Sequence, residues 1–345
     1  MTKASEFHPY KVDREIMGEM LTVYQETLSP RARAAFAHGY AGTISQNLVR
    51  AGLKAPENTP SKSAEVASSL KVLGLAELGP LLDASQVEET VGYFSRQPVY
   101  SSHTSGTATL PPGRLDEVRR SSHYGAYSLE QVLAAPHLLE IANSPLLIGA
   151  AGQYLGCVPT LYSLNCWWTF GGHADKAKVA HNFHRDPDDL KFCTLFIYLT
   201  DVAEGASCHE FVLSSHNPVR FDVDLQERCE QAGMEKSQAQ ELVRLTYHDD
   251  GNVPEVDEVV QDHLSDRVRR LHGPAGTAML EDTFGLHRGA PLPRTDRLMF
   301  WARYGLGLNH GYLLNRDCPV PVDWRSRLSD SPLTRYINRL IIDMD

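Results

Sequence analysis

The apolar positions of this chain follow two periods, and the change between them falls near residue 159. Before it the spacing is helical. Residues 13–28 place Ile16, Met17, Met20, Leu21 and Tyr24 on one helix face. Ser85 followed by Glu88 has the form of a capping box, opening a helix that runs to Phe94. Leu129 to Leu155 predicts two short helices that break near Pro145, because a proline disfavours helical geometry at the residue before it. After residue 159 the pattern shortens. Segments 161–170, 191–200, 206–215, 277–284 and 297–305 are rich in β-branched and aromatic residues and bounded by Gly, Asp or Pro, so they predict strands. Helices followed by many short strands, with no βαβ alternation, predict a mainly β fold with helical additions, a sandwich or a barrel.

The chain is expected to form one domain over 1–345. Its parts are a mainly helical N-terminal part over 1–158, a β core over 159–310 and a C-terminal extension over 311–345. Residues 218–268 interrupt the core with a polar, partly helical block that is too long for an ordinary loop. Such a block is either a helical insertion packed on the β core or a lid over its mouth.

The chemistry concentrates in Phe183-His-Arg-Asp186. On an extended chain, residues two apart project from the same face, so His184 and Asp186 point into one space. A second imidazole, His287, follows the strand at 277–284. Two neutral imidazoles and one carboxylate can occupy one face of an octahedral Fe(II), leaving three positions for a chelating co-substrate and O2. Taken alone, a His-x-Asp triplet equally describes a surface turn. A chelating 2-oxo acid with a second carboxylate would also need a fixed cation at its far end, best a guanidinium making two parallel hydrogen bonds. Arg297 opens the last strong strand and is placed to point inward; Arg294 is the near alternative.

Other residues join as candidates. Asn165, Trp167 and Thr169 alternate on the strand before the triplet. Asn165 and Trp167 could therefore touch co-substrate or substrate, with core packing as the alternative. Tyr198 could reach a co-substrate through its phenol if it faces inward. His181 has the opposite parity to His184 and reads as a residue behind the site or on the surface. Arg185, Arg288 and Arg303 lie near the motifs and leave room for an anionic group on a substrate.

Together these pieces resemble the phytanoyl-CoA dioxygenase family of Fe(II)/2-oxoglutarate-dependent oxygenases. The resemblance rests on FHRD (183–186), FCTLFIYLTDV (192–202), EFVLSSHN (210–217), GPAGTAMLEDTFGLHRG (273–289) and RLMFWARYG (297–305), in that order. It covers roughly residues 135–310. It implies a double-stranded β-helix, a jelly-roll or cupin-like barrel, with iron at its open end. It implies His184, Asp186 and His287 as the Fe(II) ligands, Arg297 as the 2-oxoglutarate anchor, and 2-oxoglutarate and O2 as co-substrates. The activity implied is a dioxygenase that hydroxylates or otherwise oxidatively tailors a small-molecule metabolite or natural product, with decarboxylation of 2-oxoglutarate to succinate. Relatives that halogenate replace the ligating carboxylate by a small residue, so Asp186 favours oxygen insertion. Two departures stand out. Family members often carry Pro-Gly-Ser-His where this chain has Leu213-Ser-Ser-His216, and the insertion at 218–268 is long.

Composition narrows the alternatives. Hydrophobic residues make up 42% and charged residues 22%, as in ordinary globular chains. A formal charge of -10 argues against a nucleic-acid partner, since such proteins usually carry a basic face. No apolar run approaches the ~18 residues of a membrane span, and the N-terminus lacks the apolar core of a secretory signal. The 6 cysteines form no Cys-x-x-Cys pair, which fits a reduced, cytoplasmic protein and offers no cysteine zinc site. His184-Arg-Asp186 is not a kinase loop, because the Gly-rich loop, strand lysine and DFG are missing, and no GxSxG is present. Two rivals remain: a cupin-like barrel using another divalent metal for isomerisation or hydrolysis, and a non-catalytic metal-binding barrel. The first leaves a carboxylate-anchoring arginine unexplained; the second predicts a missing ligand.

Overall fold

The computed structural model describes residues 28–53, 60–173, 181–247, 253–291, 294–307 and 319–344. The helix expected over 13–28 falls outside them except for Leu28. The described strands are β1 (Leu75–Pro80), β2 (Tyr124–Ala126), β3 (Thr160–Thr169), β4 (Phe192–Tyr198), β5 (His209–Val212), β6 (Val268–Leu271), β7 (Thr277–Glu281), β8 (His287–Gly289) and β9 (Arg297–Gly305). They form a 6-stranded sheet, in order β1-β7-β4-β9-β3-β2, and a 3-stranded sheet, β6-β5-β8. Every ladder is antiparallel.

Strand periodicity sorts the large sheet into two faces. Leu195 and Ile197 of β4, Leu280 of β7, and Leu298, Phe300 and Ala302 of β9 turn to the helices and join the main apolar core. Their alternates Phe196, Tyr198, Met279, Met299 and Trp301 turn the other way, with Trp167 of β3. These meet Phe211 and Leu271 of the small sheet in a second cluster.

The helices start where their caps dictate. Ser29 accepts the Ala32 N–H at 3.3 Å, and Pro30 sits at the first helical turn, where a missing N–H does no harm. From there Ala37, Ala41, Ile44 and Leu48 carry one buried stripe along the helix Pro30–Arg50. The helix Ala84–Phe94 begins earlier than its expected box. Asp83, not Ser85, is its cap: the carboxylate accepts the Gln86 N–H at 2.9 Å, and the Gln86 side chain accepts the Asp83 N–H at 3.1 Å. The region 129–155 forms Leu129–Ala134, Leu138–Ala142 and Pro145–Leu155, one helix more than expected. The extra break is at Pro136, which holds Ala135 extended at φ -64, ψ 140. β1 and β2 were not expected either; they lie in the mainly helical part and form the two edges of the large sheet.

Between β5 and β6 the chain makes helices Pro218–Gln231, Lys236–Leu245 and Pro254–His263. Their Phe221, Leu225, Val256 and Val260 pack on Phe183, Val212 and Leu286. Those three residues have the opposite parity to His184, Phe211 and His287, so the described helices cover the outer face of the small sheet. Two arginines fasten them there. Arg185 donates to the carbonyls of Thr246 and Ser215, both at 2.8 Å. Arg288 pairs with Glu210 at 2.7 Å and with Asp257 of the third helix at 2.6 Å. Among the described residues, no helix is long and apolar enough to cross a membrane.

Candidate metal centre

His184 enters the centre from an extended segment, not from the regular strand its spacing predicts. The segment is pinned by the pair His184 N–H to His287 O and His287 N–H to His184 O, both 3.0 Å. Asp186 N–H then donates to Thr283 O at 2.8 Å. These bonds impose strand parity on a piece too short to be a strand. His184 and Asp186 face inward, and Arg185 faces the insertion.

The three side chains meet. His287 Nε2 lies 3.5 Å from Asp186 Oδ2, and His184 Nε2 lies 3.9 Å from Asp186 Oδ1. One ligand atom from each lies within 4.8 Å of the others, and this is the group of His, Cys, Asp or Glu side chains able to share an ion among the described residues. The rings are already aimed. His184 Nδ1 stands 2.8 Å from Asn182 O, and His287 Nδ1 stands 2.9 Å from Gly285 O. A carbonyl only accepts, so each Nδ1 carries the proton and each Nε2 presents its lone pair to the centre. Burial also pushes the His287 imidazole well below its ordinary range, keeping it neutral as a ligand must be. Burial acts to raise the Asp186 carboxyl, but the Arg303 guanidinium holds it well below the usual carboxylate range.

Arg297 shares the inward face of β9 with Met299 and Trp301. It is 3% exposed. Its Nη1 donates to Ser207 O and its Nη2 to Thr169 Oγ1 at 3.2 Å, while Nε is buried without a partner among the described residues. Its polar surroundings are Tyr198, Tyr124 and Cys208, and no ion pair joins it to a described carboxylate. Arg294 is exposed and lies against Gly205 on the surface.

The remaining candidates divide. Asn165 Nδ2 donates to His103 O at 3.0 Å, leaving a buried Oδ1 without a donor among the described residues. Trp167 Nε1 is buried and likewise unpaired. The Trp167 ring packs 4.8 Å from Trp301 and 4.9 Å from His103. Tyr198 faces inward, but its hydroxyl already donates to Leu271 O and accepts from His209 N–H, both at 2.9 Å. His181 is not a surface residue: it is 3% exposed, with Nε2 2.8 Å from His123 Nε2 and Nδ1 2.9 Å from Gly289 O.

The structure also brings in roles that sequence spacing did not single out. His209 stacks on His287 with ring centroids 5.5 Å apart, and its Nε2 lies 2.8 Å from Glu281 Oε2. Burial pushes Glu281 well above the usual carboxylate range and His209 down to about 3, so the pair is neutral, with the proton on the carboxyl. Arg303 reaches Asp186. Its signal was available, since it stands an even number of residues from Arg297 on the same strand.

No protein-family model matches this chain, and no curated protein matches it. Solved structures similar to it include SnoN, a non-haem α-ketoglutarate-dependent epimerase from nogalamycin biosynthesis. It has 17% identity, a TM-score of 0.43, and 71% of this chain covering 83% of that one. EctD from S. alaskensis with bound Fe has 12% identity and a TM-score of 0.45, over 76% of this chain and 86% of that one. HygX from Streptomyces hygroscopicus, with nickel, 2-oxoglutarate and hygromycin B bound, has 13% identity and a TM-score of 0.43, over 70% and 86%. These scores are low, so the case for any chemistry rests on the side chains of this chain.

Proposed function

We propose that this chain is a non-haem Fe(II)- and 2-oxoglutarate-dependent dioxygenase of the phytanoyl-CoA dioxygenase type, acting on a small molecule. The observation that carries this is a pairing. His184, Asp186 and His287 converge within 4.8 Å, and a buried guanidinium, Arg297, faces the same interior with no ion pair to a described carboxylate. The donor set fits Fe(II): two neutral imidazole nitrogens and a carboxylate oxygen, with no thiolate. The buried cation fits the distal carboxylate of a dicarboxylic co-substrate, which a cationic fork binds through two parallel hydrogen bonds. On this reading the two sheets are the halves of a double-stranded β-helix within one domain over 1–345. The described helices of the insertion at 218–268 pack behind the small sheet, which favours a packing unit over a lid.

Iron with 2-oxoglutarate supplies activation of O2, coupled to decarboxylation of the co-substrate to succinate. His184 and His287 would hold the metal through Nε2, and Asp186 through one carboxylate oxygen. Arg297 orients the co-substrate from its far end and offers its unpaired Nε. Asn165 Oδ1 would accept from, and Trp167 Nε1 would donate to, polar groups brought beside them. Trp167, Trp301 and His103 form an aromatic cluster, and Arg303, which reaches Asp186, packs on the Trp301 ring. With the Asp186 carboxylate in place, hydroxylation of a C–H bond is the outcome favoured over halogenation. A cupin-like isomerase or hydrolase would use the same three ligands but would leave the buried Arg297 without a task.

The test is anaerobic addition of Fe(II) and 2-oxoglutarate to the metal-free protein. A weak visible charge-transfer band is expected; a folded, iron-loaded protein without it would sink the assignment. Succinate release, screened across small-molecule candidates, then identifies the substrate.

A further inference from the structure

Arg303 lies on the inward face of β9, at the end of the strand opposite Arg297. Its Nη2 donates to Asp186 Oδ2 at 2.6 Å, and its Nη1 donates to Asp188 Oδ2. Its guanidinium carbon sits 4.3 Å from the centroid of the Trp301 ring. Asp188 also accepts from the Tyr162 hydroxyl at 3.3 Å. The side chains are 7% exposed for Arg303 and 15% for Asp188. The fork is thus held by an aromatic face on one side and a second, anchored carboxylate on the other. Such a guanidinium presents fixed donors, unlike a solvated surface arginine.

We propose, resting on the assignment of His184, Asp186 and His287 as metal ligands, that Arg303 is the positioning residue of Asp186. Its guanidinium takes Asp186 Oδ2 and leaves Oδ1 for the metal, while the Thr283 side chain also hydrogen-bonds the carboxylate. A carboxylate held this way ligates through a single oxygen, which keeps a coordination position open that chelation by both oxygens would fill. Asp188 in turn positions Arg303 and offsets its charge, so the pair presents little net repulsion to an incoming cation. Without the guanidinium, Asp186 and Asp188 are buried neighbours of like charge, and their repulsion turns Asp186 from its ligating orientation.

The test is Mn(II) titration of the whole chain, followed by loss of the free-ion EPR signal, with the visible spectrum of the Co(II)-loaded protein as a second readout. Arg303→Met is expected to weaken Mn(II) binding by roughly 10- to 100-fold, the range for partners that orient metal ligands, and to shift the Co(II) bands. Arg303→Lys recovers part of the loss, and Asp188→Asn, which keeps an acceptor for the guanidinium, loses less than Arg303→Met. Melting of the metal-free variants checks the fold. If Arg303→Met does not fold, Arg303→Lys and Asp188→Asn carry the test on the same readouts. Unchanged affinity and spectrum in the folded variants overturn the proposal. A rise in affinity does so equally, because it makes the guanidinium a repelling charge only. Asp186→Ala separates the two levels. If it binds Mn(II) like wild type, the metal centre itself falls; if it loses Mn(II) while Arg303→Met does not, only the positioning role falls.

Discussion

The two faces of the six-stranded sheet are made from alternate residues of the same strands, yet they are built to different rules. Toward the helices stand Leu195, Ile197, Leu280, Leu298 and Phe300, all fully buried and all apolar. Such a face needs only the removal of water to hold together. Toward the small sheet the same strands carry Asn165, Glu281, Arg297 and Arg303, also buried. There Asn165 Oδ1, Trp167 Nε1, Glu281 Oε1, Arg297 Nε and Arg303 Nε have no hydrogen-bond partner among the described residues. Buried polar atoms without partners work against folding, so a face that accumulates them is shaped for something other than stability. The outer face holds the fold, and the inner face carries the polar groups on which the proposed function rests.

The largest effect expected is at the centre of the inner face. Asp186→Ala should abolish saturable Fe(II) binding while leaving a folded protein, since it removes a ligand and no apolar packing. Equilibrium dialysis at concentrations that saturate the wild type checks this, and retained stoichiometric iron would break the contrast at its strongest point. The outer face predicts the reverse pattern. Phe300→Ala should lower stability by about 3–5 kcal/mol, through lost apolar burial and a cavity. The molecules that remain folded should bind iron as wild type does. Urea unfolding paired with an iron titration measures both; a specific loss of iron affinity in the folded fraction would mean that the faces are not separable.

Arg297→Met comes next. It should weaken 2-oxoglutarate binding roughly 10- to 150-fold, the ~1.5–3 kcal/mol of hydrogen bonds to charged groups, with iron affinity unchanged. Because the guanidinium is buried with no described counter-charge, the charge relief on its removal should offset the lost hydrogen bonds to Ser207 and Thr169, leaving metal-free stability equal or higher. Calorimetric titration with 2-oxoglutarate and a thermal melt read the two quantities separately. A destabilised variant with normal 2-oxoglutarate affinity would turn Arg297 into a structural residue and take the anchor elsewhere.

How far the sequence reaches follows from the same division. The long strands were legible because β-branched and aromatic runs bounded by turn residues persist through β3, β4 and β9. The inward aim of Arg297 was legible because it opens β9. The parity of His184 and Asp186 was legible too, although hydrogen bonds to His287 and Thr283 enforce it in place of a regular strand. What escaped depends on closure in space. Arg303 stands 117 positions from Asp186, and nothing local indicates that the two meet. The His209–Glu281 pair joins strands from different sheets, 72 positions apart. Asp83 and Pro136 were missed for a smaller reason: each lies beside a competing signal, Ser85 and Pro145, that fits the same rule.

The smallest effect separates neighbours on one strand. Leu280 and Glu281 of β7 face opposite ways, and only Glu281 can make the sheet sensitive to pH. Burial raises its folded-state pKa well above the usual carboxylate range, and the unfolded chain keeps the ordinary value. With the folded value raised, the unfolded state gives up its proton first as pH increases. The stability contribution is therefore complete below the ordinary carboxyl range and is lost progressively as pH climbs toward the folded-state value. Glu281→Gln keeps the shape and a hydrogen bond to His209 but has no proton to lose. The two proteins should melt together below the ordinary carboxyl range, and the Gln variant should melt progressively higher as pH rises above it. Parallel pH dependences would show that Glu281 is ionised in the folded protein. The proton assigned to its carboxyl would then have to lie elsewhere in the His209 pair.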